Sequence, residues 1–164
     1  MDRSSRMAQQ WRRENVDFDP EPMVLLGRLI EVKLVISRDK IHPLFFKNNV
    51  QPGEFDVLAT LRRSGAPYKL TPTELYESTL ITSGSMTNRL NRLEKAGLVK
   101  RIPNHQDRRG LFVQLTEKGL LLINEMIIFH VQNVDSALSC LSKKEQQELS
   151  YLLGKLLAGN KTNE

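Results

Sequence analysis

The sequence predicts a mainly α fold of the α+β type, in which one β-hairpin interrupts a series of amphipathic helices. Three observations carry the prediction. Helix start signals recur along the chain, two of them full capping boxes, at Thr71-Pro72-Thr73-Glu74 and Ser142-Lys143-Lys144-Glu145. After Gly97 the apolar period changes from helical to two, so that Leu111, Val113 and Leu115 alternate with Phe112 and Gln114. Both ends of the chain carry long apolar stripes at helical spacing.

Taken in order, a first helix is expected over about residues 5–14, starting near Ser4 or Ser5. Asp19-Pro20-Glu21-Pro22 then reads as an acidic N-cap followed by first-turn prolines. The helix it opens carries Met23, Leu26, Leu29, Ile30, Leu34 and Val35. From His42-Pro43 to Pro52-Gly53 only a short helical turn is expected. Phe55, Leu58 and Leu61 mark another helix, ending before Gly65-Ala66-Pro67. The first capping box opens a short helix to about Ser78, and a fresh start follows at Thr82 or Ser83. That helix buries Met86, Leu90 and Leu93, then stops at Gly97, a natural left-handed C′ residue. Two helices across a short turn, the second basic on its outer face, follow helix-turn-helix grammar. Leu98–Ile102 pairs with Leu111–Leu115 around a polar loop from Pro103 to Gly110, which makes a wing. Thr116 caps a long helix whose Ile127, Val131, Val134, Leu138 and Leu141 step by four and three. The last helix carries Leu149, Leu152, Leu153, Leu156 and Leu157. Part of these stripes serves the chain's own core, and the remainder is expected to form a dimer interface.

Charge is unevenly spread. Between Ser83 and Lys118 eight basic and three acidic side chains leave a surplus equal to the +5 of all 164 residues. The positive field thus belongs to one helix and one hairpin, a layout suited to DNA. The single cysteine, Cys140, excludes an internal disulfide and fits a reducing compartment. The stretch from Met1 to Asn15 lacks the apolar run of a secretion signal. No segment approaches the roughly 20 apolar residues of a membrane span. A cytoplasmic location without membrane contact is therefore expected. His42, His105 and His130 have no ligand-spaced partners. Without a nucleophile–base pair or a glycine-rich phosphate loop, no enzyme, catalytic residue, cofactor or metal site is expected.

The residues resemble the MarR family of winged helix-turn-helix regulators. The resemblance rests on Glu54-Phe55-Asp56-Val57-Leu58, Leu70–Leu75, Thr87–Val99, and Asp107-Arg108-Arg109 followed by Leu115-Thr116 and Gly119. It covers about residues 22–158. A helix-turn-helix is expected at about 70–97, a wing at about 98–116, and dimerisation helices at about 22–40 and 117–158. The extension helix within residues 1–20, with Gln10-Trp11-Arg12, and the run from Phe55 to Gly65 resemble the PecS/HucR-like urate-responsive branch. The family implies a homodimer on a pseudo-palindromic double-stranded operator, with recognition helices in major grooves and wings at minor grooves. The branch implies a ligand site formed by Trp11, Asp56, Arg89 and Arg101.

Ser83, Ser85, Thr87, Asn88 and Arg92 lie in or near the first turns of the recognition helix, where hydroxyls and Asn can take phosphates and Arg a guanine edge. In the wing, Arg108 or Arg109 suits a narrow minor groove, and Asp107 pairs with a neighbouring arginine. Asp56 sits in an apolar helix and needs a partner if buried, with Arg89 and Arg101 as candidates. A permanent Asp–Arg tie between recognition helix and scaffold would meet that need as well. The alternative is a switch operated by a planar anion such as urate. Trp11 fits either a stacking surface or an apolar anchor for the first helix. A repressor whose DNA binding a small aromatic anion attenuates is expected. The alternatives are phenolic or aromatic carboxylate effectors, and a non-specific architectural DNA-binding protein.

Overall fold

A computed structural model of the chain describes residues 1–14, 17–79, 86–104 and 110–160. The chain divides into two compact units, Met1–Phe55 and Asp56–Glu164.

The first unit holds α1 (Arg3–Arg13), α2 (Glu21–Ile36), a π-helical turn (Ser37–Ile41) and α3 (His42–Lys47). Helix α1 begins two residues earlier than expected because Asp2, not a serine, is its N-cap. The Asp2 carboxylate accepts the Ser5 N–H at 2.8 Å. That bond, with Arg28 beside it, lowers the Asp2 pKa to about 2. Ser4 and Ala8 are the buried face of α1. A Cβ on Gly27 of α2 would meet the Ser4 hydroxyl oxygen at 2.4 Å, so small residues set this helix crossing. At the start of α2 the N-cap is Pro20 and not the expected Asp19, which stands one residue earlier and accepts the Glu21 N–H at 3.0 Å. Phe45 stacks on Phe55 with ring centroids 4.6 Å apart, and Val50 is buried with them.

Helix α4 (Pro52–Arg63) opens in the first unit and runs into the second. There follow β1 (Lys69–Leu70), α5 (Pro72–Ser78), α6 (Met86–Lys95), β2 (Val99–Pro103), β3 (Leu111–Leu115), α7 (Glu117–Leu138) and α8 (Lys143–Asn160). The core of this unit draws Val57, Leu58 and Leu61 from α4, Leu75 from α5, Leu90 and Leu93 from α6, Val113 and Leu115 from β3, and Ile123 and Met126 from α7. Both capping boxes form. The Thr71 hydroxyl accepts the Glu74 N–H while the Glu74 carboxylate accepts the Thr71 N–H, and Ser142 and Glu145 do the same.

The hairpin is antiparallel, with Val99 opposite Leu115 and Arg101 opposite Val113. A third strand, β1, joins on the far side of β3 and was not expected. Two residues are too few to show an alternating pattern. Gly97 adopts φ +70°, the left-handed C′ conformation its position predicts. The end of α6 is then pinned by the start of α7. The Thr116 hydroxyl donates to the Gly97 carbonyl at 2.7 Å, and the Lys118 ammonium donates to the Ala96 carbonyl at 2.9 Å. A Cβ on Gly119 would lie 2.0 Å from the Leu98 carbonyl oxygen, so only glycine permits this contact.

Helices α2, α7 and α8 each leave three or more large apolar side chains exposed. Leu25, Leu26, Ile30, Val32 and Leu34 of α2 are exposed, as are Leu121, Ile128, Phe129 and Val131 of α7 and Leu152, Leu156 and Leu157 of α8. Helix α8 buries no residue at all. On α7 the exposed set shares only Val131 with the expected stripe, whose other members are partly covered. No helix among the described residues is long and apolar enough to cross a membrane.

Candidate nucleic-acid interface and effector site

Helix α6 is two-faced because its apolar residues repeat every three or four positions. Met86, Leu90 and Leu93 are buried, which turns Thr87, Asn88, Asn91, Arg92 and Lys95 outward. These exposed residues form one polar and basic stripe with no carboxylate in it. Such a surface can meet a polyanion at its base edges and phosphates. Three of the expected DNA contacts, Thr87, Asn88 and Arg92, lie on it. Ser83, Ser85, Arg108 and Arg109 lie outside the described residues. So do Asp107 and the residue it was expected to pair with.

The wing is tied to this helix. Arg101 on β2 donates through one guanidinium nitrogen to the Glu94 carboxylate and through the other to the Asn91 side-chain oxygen at 2.6 Å. The Arg101 backbone N–H adds a bond to Glu94 at 3.3 Å. The reversal at Gly97 folds β2 back beside the helix it follows, and this brings a residue seven positions on against Glu94 and Asn91. Arg101 therefore bonds the recognition helix itself, not Asp56, in this structure.

Asp56 is half-buried on α4. Desolvation pushes its carboxyl above the ordinary carboxylate range, and the nearby charges of Arg89, His130 and Arg63 oppose that rise. The cluster joins three elements: α4 supplies Asp56 and Arg63, α6 supplies Arg89, and α7 supplies His130. His130 titrates below its usual value because it is desolvated, while the Asp56 charge pulls the other way. A half-buried carboxyl in the field of two guanidinium groups puts a polar acceptor beside positive charge, a combination that suits an anionic ligand carrying an N–H group.

Of the residues expected at an effector site, the structure thus brings together Asp56 and Arg89. Arg101 is occupied by Glu94 and Asn91. Trp11 belongs to the first unit, where its ring meets Phe18 edge-on at 5.7 Å and stays partly exposed. Two members of the cluster were missed as such. Arg63 stands seven residues after Asp56, two helical turns on, a spacing that shares a face and could have flagged it. His130 is 74 residues away from Asp56 and no local pattern signals their meeting.

Comparison with known proteins agrees with this architecture. A MarR family sequence profile matches residues 48–110. The HTH-type transcriptional regulator PecS of Dickeya dadantii is 43% identical over 152 residues, covering 93% of this chain and 91% of that protein. The multiple antibiotic resistance protein MarR of Escherichia coli is 31% identical over 140 residues, covering 82% and 92% respectively. The crystal structure of a cysteine-to-serine variant of E. coli MarR with operator DNA superimposes with a TM-score of 0.73 at 29% identity, over 83% of this chain and 96% of that one. Relatedness across nearly the whole length, with helix-turn-helix and wing in the matching order, places the chain in the MarR family of winged-helix, DNA-binding transcriptional regulators.

Proposed function

We propose that this regulator is a homodimeric repressor whose hold on a pseudo-palindromic operator is released by a small aromatic anion, urate or a related purine. The observation that carries the reading is the field at Asp56: a half-buried carboxylate on α4 interacts with Arg89, an arginine of the recognition helix. An effector at that carboxylate acts on the DNA-reading helix without any intermediary. The relationship to PecS favours this branch of the family.

Arg92 of helix α6 takes a guanine edge, while Thr87 and Asn88, with Ser83 and Ser85, reach phosphates. One of Arg108 and Arg109 enters the minor groove. Urate carries one negative charge near neutral pH, with several donors and acceptors on a planar ring. Asp56 accepts one of its N–H groups, Arg89 takes its charge, and Trp11 stacks on the ring. Arg101 is the second cation. Its transfer from Glu94 to the ligand loosens the tie between α6 and the wing. Binding therefore stabilises a different placement of α6, which supplies the differential affinity a switch requires. The same cationic cluster also suits a phenolic or aromatic carboxylate, the second reading.

The test is a competition titration followed by release. A duplex from the chain's own promoter should outcompete random DNA at equal salt. Equal affinity for both sinks the repressor reading. Urate, xanthine and salicylate are then compared by thermal shift, since a ligand of the native state raises the melting temperature. The compound that also releases DNA identifies the effector class, and salicylate acting without urate selects the second reading.

A further inference from the structure

Arg63 closes α4, and its guanidinium donates to the carbonyl oxygen of Ser78, the last residue of α5. The final carbonyls of a helix lack intrahelical donors and carry partial negative charge, so a guanidinium there holds the helix end in place. The same arginine sits two turns along α4 from Asp56 and acts on it electrostatically. Between them, four residues on from Asp56, lies Thr60, 2% exposed. Its hydroxyl has no hydrogen-bond partner among the described residues. Buried hydroxyls are nearly always bonded, and this one lies on the stripe shared by a carboxylate and a guanidinium. One face of α4 thus carries an acceptor, an unspent hydroxyl and a cation. That cation already grips the first helix of the helix-turn-helix.

We propose that Arg63 is a positioning residue of the Asp56 site, holding the end of α5 in the ligand-free chain and yielding it when a planar anion binds. The inference rests on the effector reading of Asp56 and deepens it. Arg89 reports the ligand to α6, and Arg63 reports it to α5. In helix-turn-helix proteins the first helix crosses the DNA backbone while the second reads bases. A ligand that competes with the Ser78 carbonyl for Arg63 therefore disturbs the backbone contact and the base contact together. Thr60 supplies the polar atom that meets the ligand edge between the two charges.

The experiment uses the full chain, a promoter duplex and urate. DNA affinity is measured with and without saturating urate for wild type, Arg63→Gln and Arg63→Lys. Urate is expected to weaken wild-type DNA binding within the roughly 5–150-fold range of ordinary allosteric coupling. Arg63→Gln should cut that factor by at least about threefold, and Arg63→Lys, which keeps the charge, should restore most of it. An arginine that merely caps α5 would weaken DNA binding equally with and without urate, and that result overturns the proposal. If wild type ignores urate, the effector reading fails, and a ligand-free cycle then decides the role of Arg63. Asp56→Asn should change DNA affinity at least about threefold less in an Arg63→Gln background than in wild type. Additive effects in that cycle overturn the coupling.

Discussion

At the level of single residues, two groups in the Asp56 cluster titrate abnormally, in opposite senses. The Asp56 carboxyl is raised, so its ionised form destabilises the fold, and stability falls as pH climbs from 3.8 toward the folded value. His130 is lowered, so the folded state resists its proton, and stability falls as pH drops below 6.5. Because the Asp56 charge favours the imidazolium, each group softens the other's penalty. His130→Gln should therefore shrink the difference in urea midpoint between about pH 7.5 and about pH 5.5, and Asp56→Asn should enlarge it. Unchanged differences in both variants would show that the two groups do not interact. Arg109 gives a prediction of another kind. If it is the minor-groove arginine, Arg109→Ala weakens operator binding and reduces the slope of log K against log salt by about one. A change seen for Arg108→Ala instead assigns the role to its neighbour.

Among the elements, the junction between recognition helix, wing and α7 is the most constrained. Thr116 and Lys118 satisfy carbonyls at the end of α6, and Gly119 leaves room for the Leu98 backbone. Gly119→Ala must push α7 away from that carbonyl, and a loss of about 2–4 kcal/mol is expected from urea denaturation. Gly97→Ala places a Cβ at φ +70° and should cost about 1–2 kcal/mol. Both sites were visible as local signals, a C′ glycine and a capped helix start. The close approach at Gly119 was not, since it depends on where Leu98 of a different element lies. The same distinction explains the site. Thr87, Asn88 and Arg92 follow from helical phase around Met86, Leu90 and Leu93. That Arg101 turns to Glu94 and Asn91, and that His130 reaches Asp56, depends on how strands and helices return upon one another. The two-residue strand β1 escaped notice for a similar reason, being defined by its pairing with β3 alone.

At the scale of the whole molecule, α2 in the first unit and α7 and α8 in the second each leave apolar side chains exposed, and the proposed homodimer draws on such surface. Several leucines, isoleucines and valines there are half or more exposed, and covering one of them fully is worth about 1.5–3 kcal/mol. Exposed apolar surface of this kind suits a protein–protein contact. With a second copy as occupant, the melting temperature should rise with protein concentration. Leu157→Glu should shift sedimentation toward the monomer and weaken operator binding, because a two-fold operator needs both half-sites filled. A variant that sediments as wild type would place the interface away from the end of α8.

The sequence by itself determined the order and type of nearly every helix, the hairpin, the two capping boxes, the outward face of α6 and the concentration of positive charge between Ser83 and Lys118. These are local properties, fixed by apolar period, capping chemistry and glycine, and they need no knowledge of distant residues. Only the tertiary structure decided which arginines attend Asp56, that Arg101 latches the wing to the recognition helix, and that Arg63 links Asp56 to the end of α5. Those depend on long-range approach, where a charged side chain takes whichever partner the folded backbone brings within reach.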